Sequence, residues 1–109
     1  MIRKFLVQGS ASEPYEVVFR LDGSNLSAYC TCPAGINGMY CKHRFAILKG
    51  LTKGVVSGNE SQVAEVAGWL PGTDVETAMA QVEVLEDQAN QIQKALSKAK
   101  KDLAKAMRN

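Results

Sequence analysis

The chain has 109 residues, 46% of them hydrophobic and 22% charged, with a formal net charge of +2. Those figures describe one small folded chain and exclude a disordered one. No run of ~18 apolar residues occurs, which excludes a membrane-spanning helix.

Met1-Ile2-Arg3-Lys4-Phe5-Leu6-Val7 has the basic flank of an export signal, but its apolar run stops at Gln8-Gly9-Ser10. The protein is therefore expected to be cytoplasmic, with no membrane partner. Charge divides the chain into a basic part over 1–54 (+4), an acidic part over 55–81 (−4) and a basic part over 82–109 (+2).

The first part reads as a small antiparallel sheet. Phe5 and Val7 alternate with Leu6, and Ser10-Ala11-Ser12-Glu13-Pro14 breaks the strand. Tyr15, Val17, Phe19 and Leu21 mark one face of a second strand, with Glu16, Val18 and Arg20 on the other. Asp22-Gly23, extended by Ser24-Asn25, signals a hairpin into a third strand carrying Leu26, Ala28 and Cys30. A helix is expected over Lys42–Lys53, stopped by Gly54.

Residues 55–72 read as a linker and a short helix, roughly Glu60–Leu70, that ends at Pro71-Gly72. Val63, Val66, Ala67 and Leu70 fall at helical spacing, and Trp69 is expected in the core, with an exposed interaction anchor as the alternative. Thr73-Asp74-Val75-Glu76 has the Ser/Thr-x-x-Glu pattern of a capping box. It opens a single long helix that fills 73–109, the third segment of the expected organisation.

Three cysteines and the one histidine fall within fourteen positions, as Cys30-Thr31-Cys32, eight intervening residues, then Cys41-Lys42-His43. A disulfide framework would strand one thiol and would not persist in a reducing cytosol. A nucleophilic Cys41–His43 pair lacks a recognisable orienting residue. Three thiolates and one imidazole, by contrast, are a standard tetrahedral set for structural zinc. Pro33, Gly35 and Asn37-Gly38 let the intervening backbone turn. Cys30, Cys32, Cys41 and His43 are thus the expected Zn2+ ligands. Four protein ligands leave no position for an activated water, so no catalytic residues and no enzyme activity are expected.

The segment resembles the SWIM-type zinc finger, whose pattern is CxC, a variable gap, then CxH. Tyr29, Thr31, Pro33, Gly38 and Lys42-His43-Arg44 leading into an apolar helix extend the likeness over about residues 15–52. The resemblance implies a strand–strand–helix fold around one zinc, with DNA-binding or protein-binding roles. The family occurs in Mutator-type transposases, some Swi/Snf ATPases and small bacterial proteins; nothing outside the finger resembles the transposase or ATPase domains.

On a helical wheel Lys42, Lys49 and Lys53 fall on one side, opposite Ile47, Leu48 and Leu51, which should pack on the sheet, while Arg44 lies near the apolar side. With Arg3, Lys4 and Arg20 these lysines are candidates to face nucleic-acid phosphates. No side chains that would read bases stand out.

In the tail, Val75, Ala78, Val82, Leu85, Ala89, Ile92, Leu96, Ala99, Leu103 and Ala106 are spaced alternately by three and four, the seam of a coiled coil. A homodimer is expected through Val82, Leu85, Ile92, Leu96 and Leu103. Glu83, Glu86 and Asp87 precede Lys94, Lys98, Lys100, Lys101 and Lys105. That polarity suits an antiparallel pair, but the helix dipole alone also favours it.

The expected fold is α+β: a small antiparallel sheet, a zinc knuckle and helix, then a long coiled-coil-like helix. The function expected is a non-enzymatic zinc module that binds DNA and dimerises through its tail. The alternative is a protein–protein adaptor or inhibitor in which zinc is purely architectural.

Overall fold

A computed structural model describes residues 1–108; Asn109, the last residue of the expected arm, lies outside the described residues. The elements are β1 (Ile2–Val7), β2 (Tyr15–Asp22), β3 (Asn25–Cys30), α1 (Pro33–Ile36), α2 (Lys42–Leu48), α3 (Ser61–Ala67) and α4 (Asp74–Ala106). The expected α+β class holds. The chain divides after Glu76 into two compact units, the second beginning at Thr77.

In the first unit the strands form an antiparallel meander in the order β1-β2-β3. Period-two alternation places Phe5, Val7, Val17, Phe19 and Leu26 on the buried face. Phe5 sits opposite Val17, and the Phe5 and Phe19 rings meet edge-on with centroids 5.9 Å apart. Ile47 and Leu48 of α2, Val63 and Val66 of α3, and Trp69 complete the core.

The hairpin is tighter than its sequence suggests. Asp22 pairs with Asn25, so the turn is Gly23-Ser24 alone and Asn25 already belongs to β3. The segment read as a linker also has work to do, along the free edge of β1. Gln8 N–H donates to the Gly54 carbonyl and Val56 N–H to that of Leu6, each at 2.8 Å. Leu6 N–H donates to Ser57 Oγ at 3.1 Å, and Asn59 Nδ2 to the Lys4 carbonyl at 2.8 Å. An open strand edge invites pairing with other chains, and these bonds occupy it.

The helix after Cys41 is shorter than expected. It stops at Leu48 because Gly50 takes a left-handed φ of +83°. Gly50 N–H then donates to the Ile47 carbonyl and Leu51 N–H to that of Ala46, the paired bonds of a Schellman ending. Lys53 and Leu51 therefore lie beyond the helix, and Leu51 is exposed instead of packing on the sheet.

The Thr73 cap forms as expected. Glu76 N–H donates to Thr73 Oγ1 at 3.3 Å, while the Glu76 carboxylate accepts from Gly72 N–H, one residue earlier than the usual reciprocal bond. From this cap α4 runs 33 residues, ~50 Å at 1.5 Å per residue. Val82 is half-buried, whereas Leu85 (53%), Ile92 (68%), Leu96 (45%) and Leu103 (57%) are exposed to solvent.

Candidate metal centre

Each ligand reaches the centre from a different structural device. Cys30 closes β3, opposite Val17 on the core face. Thr31 extends that pairing beyond the strand: its N–H donates to the Glu16 carbonyl at 3.1 Å, and its Oγ1 accepts from Glu16 N–H at 2.9 Å. The residue between the two cysteines thus holds both in place.

Cys32 caps α1, its Sγ accepting from Gly35 N–H at 3.3 Å, with Pro33 at the first helical position. Cys41 is the residue before α2, and His43 lies in that helix's first turn.

The sulfur and imidazole ligand atoms of Cys30, Cys32, Cys41 and His43 all lie within 4.8 Å of one another. Cys32 Sγ is 3.4 Å from Cys41 Sγ, and His43 Nδ1 is 3.5 Å from Cys41 Sγ and 3.8 Å from Cys30 Sγ. A zinc tetrahedron with ~2.3 Å Zn–S and ~2.0 Å Zn–N bonds has edges of roughly 3.5–3.8 Å, so these separations fit the ion. The three cysteines are buried free thiols and His43 is half-buried. Nδ1 is the imidazole nitrogen facing the sulfurs.

The thiols are electrostatically unequal. Burial pushes Cys30 up to about 12, with the neighbouring Cys32 and Cys41 adding to the shift against a backbone hydrogen bond from Cys32. Burial would also raise Cys41, but it is outweighed by hydrogen bonds from the Arg44 backbone, Cys32, His43 and Cys30, which bring Cys41 down to about 6. Ligation needs thiolates and so displaces protons from this cluster.

Three features outside the ligand set hold the knuckle. Arg44, half-buried, donates through Nη1 to the Ala28 carbonyl at 3.3 Å and through Nη2 to the Met39 carbonyl. It therefore ties β3 to the loop after α1. Tyr40 stacks on Phe45 with centroids 4.6 Å apart. Tyr15 leans on the His43 ring at 5.0 Å.

The Arg44–Ala28 and Tyr15–His43 contacts join residues far apart in sequence, so the ligand spacing does not announce them. The cap at Cys32 did have a local signal, the Pro33 that follows it.

The cationic residues singled out in the sequence do not form one helical stripe. Lys42 opens α2 and Lys49 caps its C-terminus, both exposed, but Lys53 lies in the loop beyond. Arg3 is engaged elsewhere: its Nη2 and Nε contact the Glu65 carboxylate at 2.7 and 3.1 Å, and its guanidinium sits 5.9 Å from the Trp69 ring centroid. Lys4 and Arg20 are exposed on the outer face of the sheet. No described helix is long and apolar enough to cross a membrane.

A comparison with protein families matches residues 15–49 to the SWIM zinc finger. No curated protein and no solved structure matches the chain. The matched span runs from the start of β2 to the cap of α2 and contains all four clustered side chains, a non-catalytic binding module by family. The chain carries a SWIM zinc finger, spanning residues 15–49 and built to hold one zinc ion.

Proposed function

We propose that the protein is a non-enzymatic, cytoplasmic binding module that docks on nucleic acid, DNA in the first instance, and dimerises through α4. The observation that carries the nucleic-acid reading is the segment from Lys42 to Gly54. It presents Lys42, Lys49 and Lys53 at the surface and contains no acidic residue. Phosphate neutralisation by such lysines gives sequence-independent, salt-sensitive affinity. With three phosphates engaged, affinity for a short DNA should fall roughly 20- to 40-fold between 50 and 200 mM salt. Changing Lys42, Lys49 and Lys53 together to Gln should abolish most of it. A titration of zinc-loaded protein at the two salt concentrations tests this; no binding at the lower one refutes it.

The exposed Ile36, Met39 and Tyr40 around the knuckle support the second reading, an adaptor that grips a protein. A pull-down with and without nuclease separates the two, since only a nucleic-acid-borne association is lost on digestion.

The dimer reading rests on Leu85, Ile92, Leu96 and Leu103, a solvent-facing apolar seam on one helix. Sedimentation at tens of micromolar should give a dimer, and Ile92→Asp with Leu96→Asp should give a monomer. A monomeric parent chain would refute the seam's role.

A further inference from the structure

Lys42 and Lys53 do not share a helix face, yet the fold brings them to the same place. Between the end of β1, the outer side of α2 and the loop that follows Gly50 lies an open groove of about 420 Å³. Lys42 and Lys53 both line it, and none of its lining residues is acidic. Val7 and Ile47 from the core, with Ala46 and Leu51, give it an apolar wall, and Gln8 and Ser10 stand at its polar side. The exposure of Leu51, anomalous for a residue expected in the core, is explained if it is a wall of a binding groove.

His43 adds a donor. Its Nδ1 faces the sulfurs, and an imidazole that ligates through one nitrogen carries its proton on the other. That second nitrogen, Nε2, lies on the side of Gly9, where a Cβ would come within 3.2 Å of it. Gly9 is another wall of the groove, and Nε2 has no hydrogen-bond partner among the described residues.

We propose that this groove takes one nucleotide of a single-stranded polynucleotide. The phosphate lies between Lys42 and Lys53, and the base lies against Leu51 and Ala46. This rests on the nucleic-acid reading above and narrows it to a strand class. The cations are matched by a phosphate. The apolar surface is matched by a base face, which a duplex keeps stacked inside and a single strand can offer. The volume is in the range of pockets that enclose a small ligand.

The test uses the full zinc-loaded chain and fluorescence anisotropy with a short labelled oligo-dT strand, a blunt duplex of equal length and an oligoglutamate peptide. The strand should bind about tenfold more tightly than the duplex. Lys53→Gln should weaken strand binding about threefold, and the Lys42→Gln, Lys53→Gln double variant about tenfold. In the double variant the logarithmic salt slope should fall by about 0.7, the share of the one phosphate lost. Leu51→Asp should remove the preference for the strand.

Lys53 and Leu51 are exposed loop residues outside the ligand set, so these two variants retain their zinc and report on the groove even where a change at Lys42 disturbs the finger. Equal affinity for strand and duplex overturns the groove alone, leaving the broader reading standing. So does strand binding that is indifferent to both Lys53→Gln and Leu51→Asp. Equally tight binding of the peptide overturns the nucleotide assignment. No binding of either polynucleotide at low salt overturns the broader reading and the groove together.

Discussion

Chelation of the zinc, or Cys41→Ser, is expected to unfold the first unit of the chain while α4 keeps much of its helicity. Structural zinc contributes an apparent ~10–16 kcal/mol in finger peptides, as large as the whole stability of many domains. The unit that depends on it, Met1–Glu76, is of a size at which a core alone rarely supplies more than ~3–5 kcal/mol. Its core, built on Phe5, Val17, Phe19, Ile47, Val63 and Val66, is real but small.

The ligands are also joints. Cys30 ends β3, Cys32 caps α1 and Cys41 precedes α2, so one ion holds three elements whose own contacts are short. Losing Cys41, 2% exposed, removes a ligand and leaves the other three donors facing one another without their cation. Far-ultraviolet circular dichroism alone would understate the effect, because the 33-residue α4 supplies most of the helical signal. Trp69, buried in the first unit at 8% exposure, is the better reporter. Its emission should shift to the red on adding a chelator, and the cooperative melt should move down by tens of degrees or vanish, given ~4–8 °C per kcal/mol at this size. Cys30→Ser should behave alike. An unchanged melt with the metal removed would contradict the role assigned to the cluster.

The residues that were legible in the sequence share a property: their signal is local. Tyr15, Val17, Phe19 and Leu21 alternate over one strand, and Thr73 with Glu76 cap one helix. Cys30, Cys32, Cys41 and His43 are legible by chemistry, since few other purposes gather those types so closely.

What was hidden depends on partners distant in sequence. Ser57 and Asn59 look like linker composition, yet they bind β1 across more than fifty residues. Arg3 looks like a free cation until Glu65 is placed beside it, 62 positions away. The end of α2 is hidden for a different reason. Two glycines, Gly50 and Gly54, were both available as stops, and only the paired carbonyl contacts of Ile47 and Ala46 select the first. That choice moves Lys53 off the helix and into the groove, so the lysines remain of interest on grounds other than the wheel. α1 is silent in the sequence because four residues containing Pro33 and Gly35 carry no helical periodicity.

Gly35→Ala is expected to damage the metal centre although helix propensity argues the other way. In a helix, Ala is favoured over Gly by about 1 kcal/mol. At this position a Cβ would lie 2.4 Å from the Cys30 carbonyl oxygen, 2.8 Å from Cys30 Cβ and 2.9 Å from its carbonyl carbon. These are not flexible chain ends that can swing aside. Cys30 is held opposite Val17 in the ladder, and Thr31 locks the next residue to Glu16. The added methyl must therefore unwind α1, which withdraws the Gly35 N–H from Cys32 Sγ, or pull Cys30 out of register. Either route moves a ligand. Overpacking of this kind costs ~1–3 kcal/mol, and loss of a hydrogen bond to a metal ligand typically costs 10–100-fold in metal affinity. The expected result is zinc bound about tenfold or more weakly in competition with a chelator of known affinity, together with a lower melting temperature. Gly38→Ala separates this from a general intolerance of the loop. Gly38 has a φ of +70° but nothing within 4 Å of a Cβ, so it should lose only the ~1–2 kcal/mol of the left-handed conformation, with its zinc affinity nearly intact. If Gly35→Ala binds zinc as the parent does and melts no lower, then the contact between α1 and the end of β3 does not position the first two cysteines.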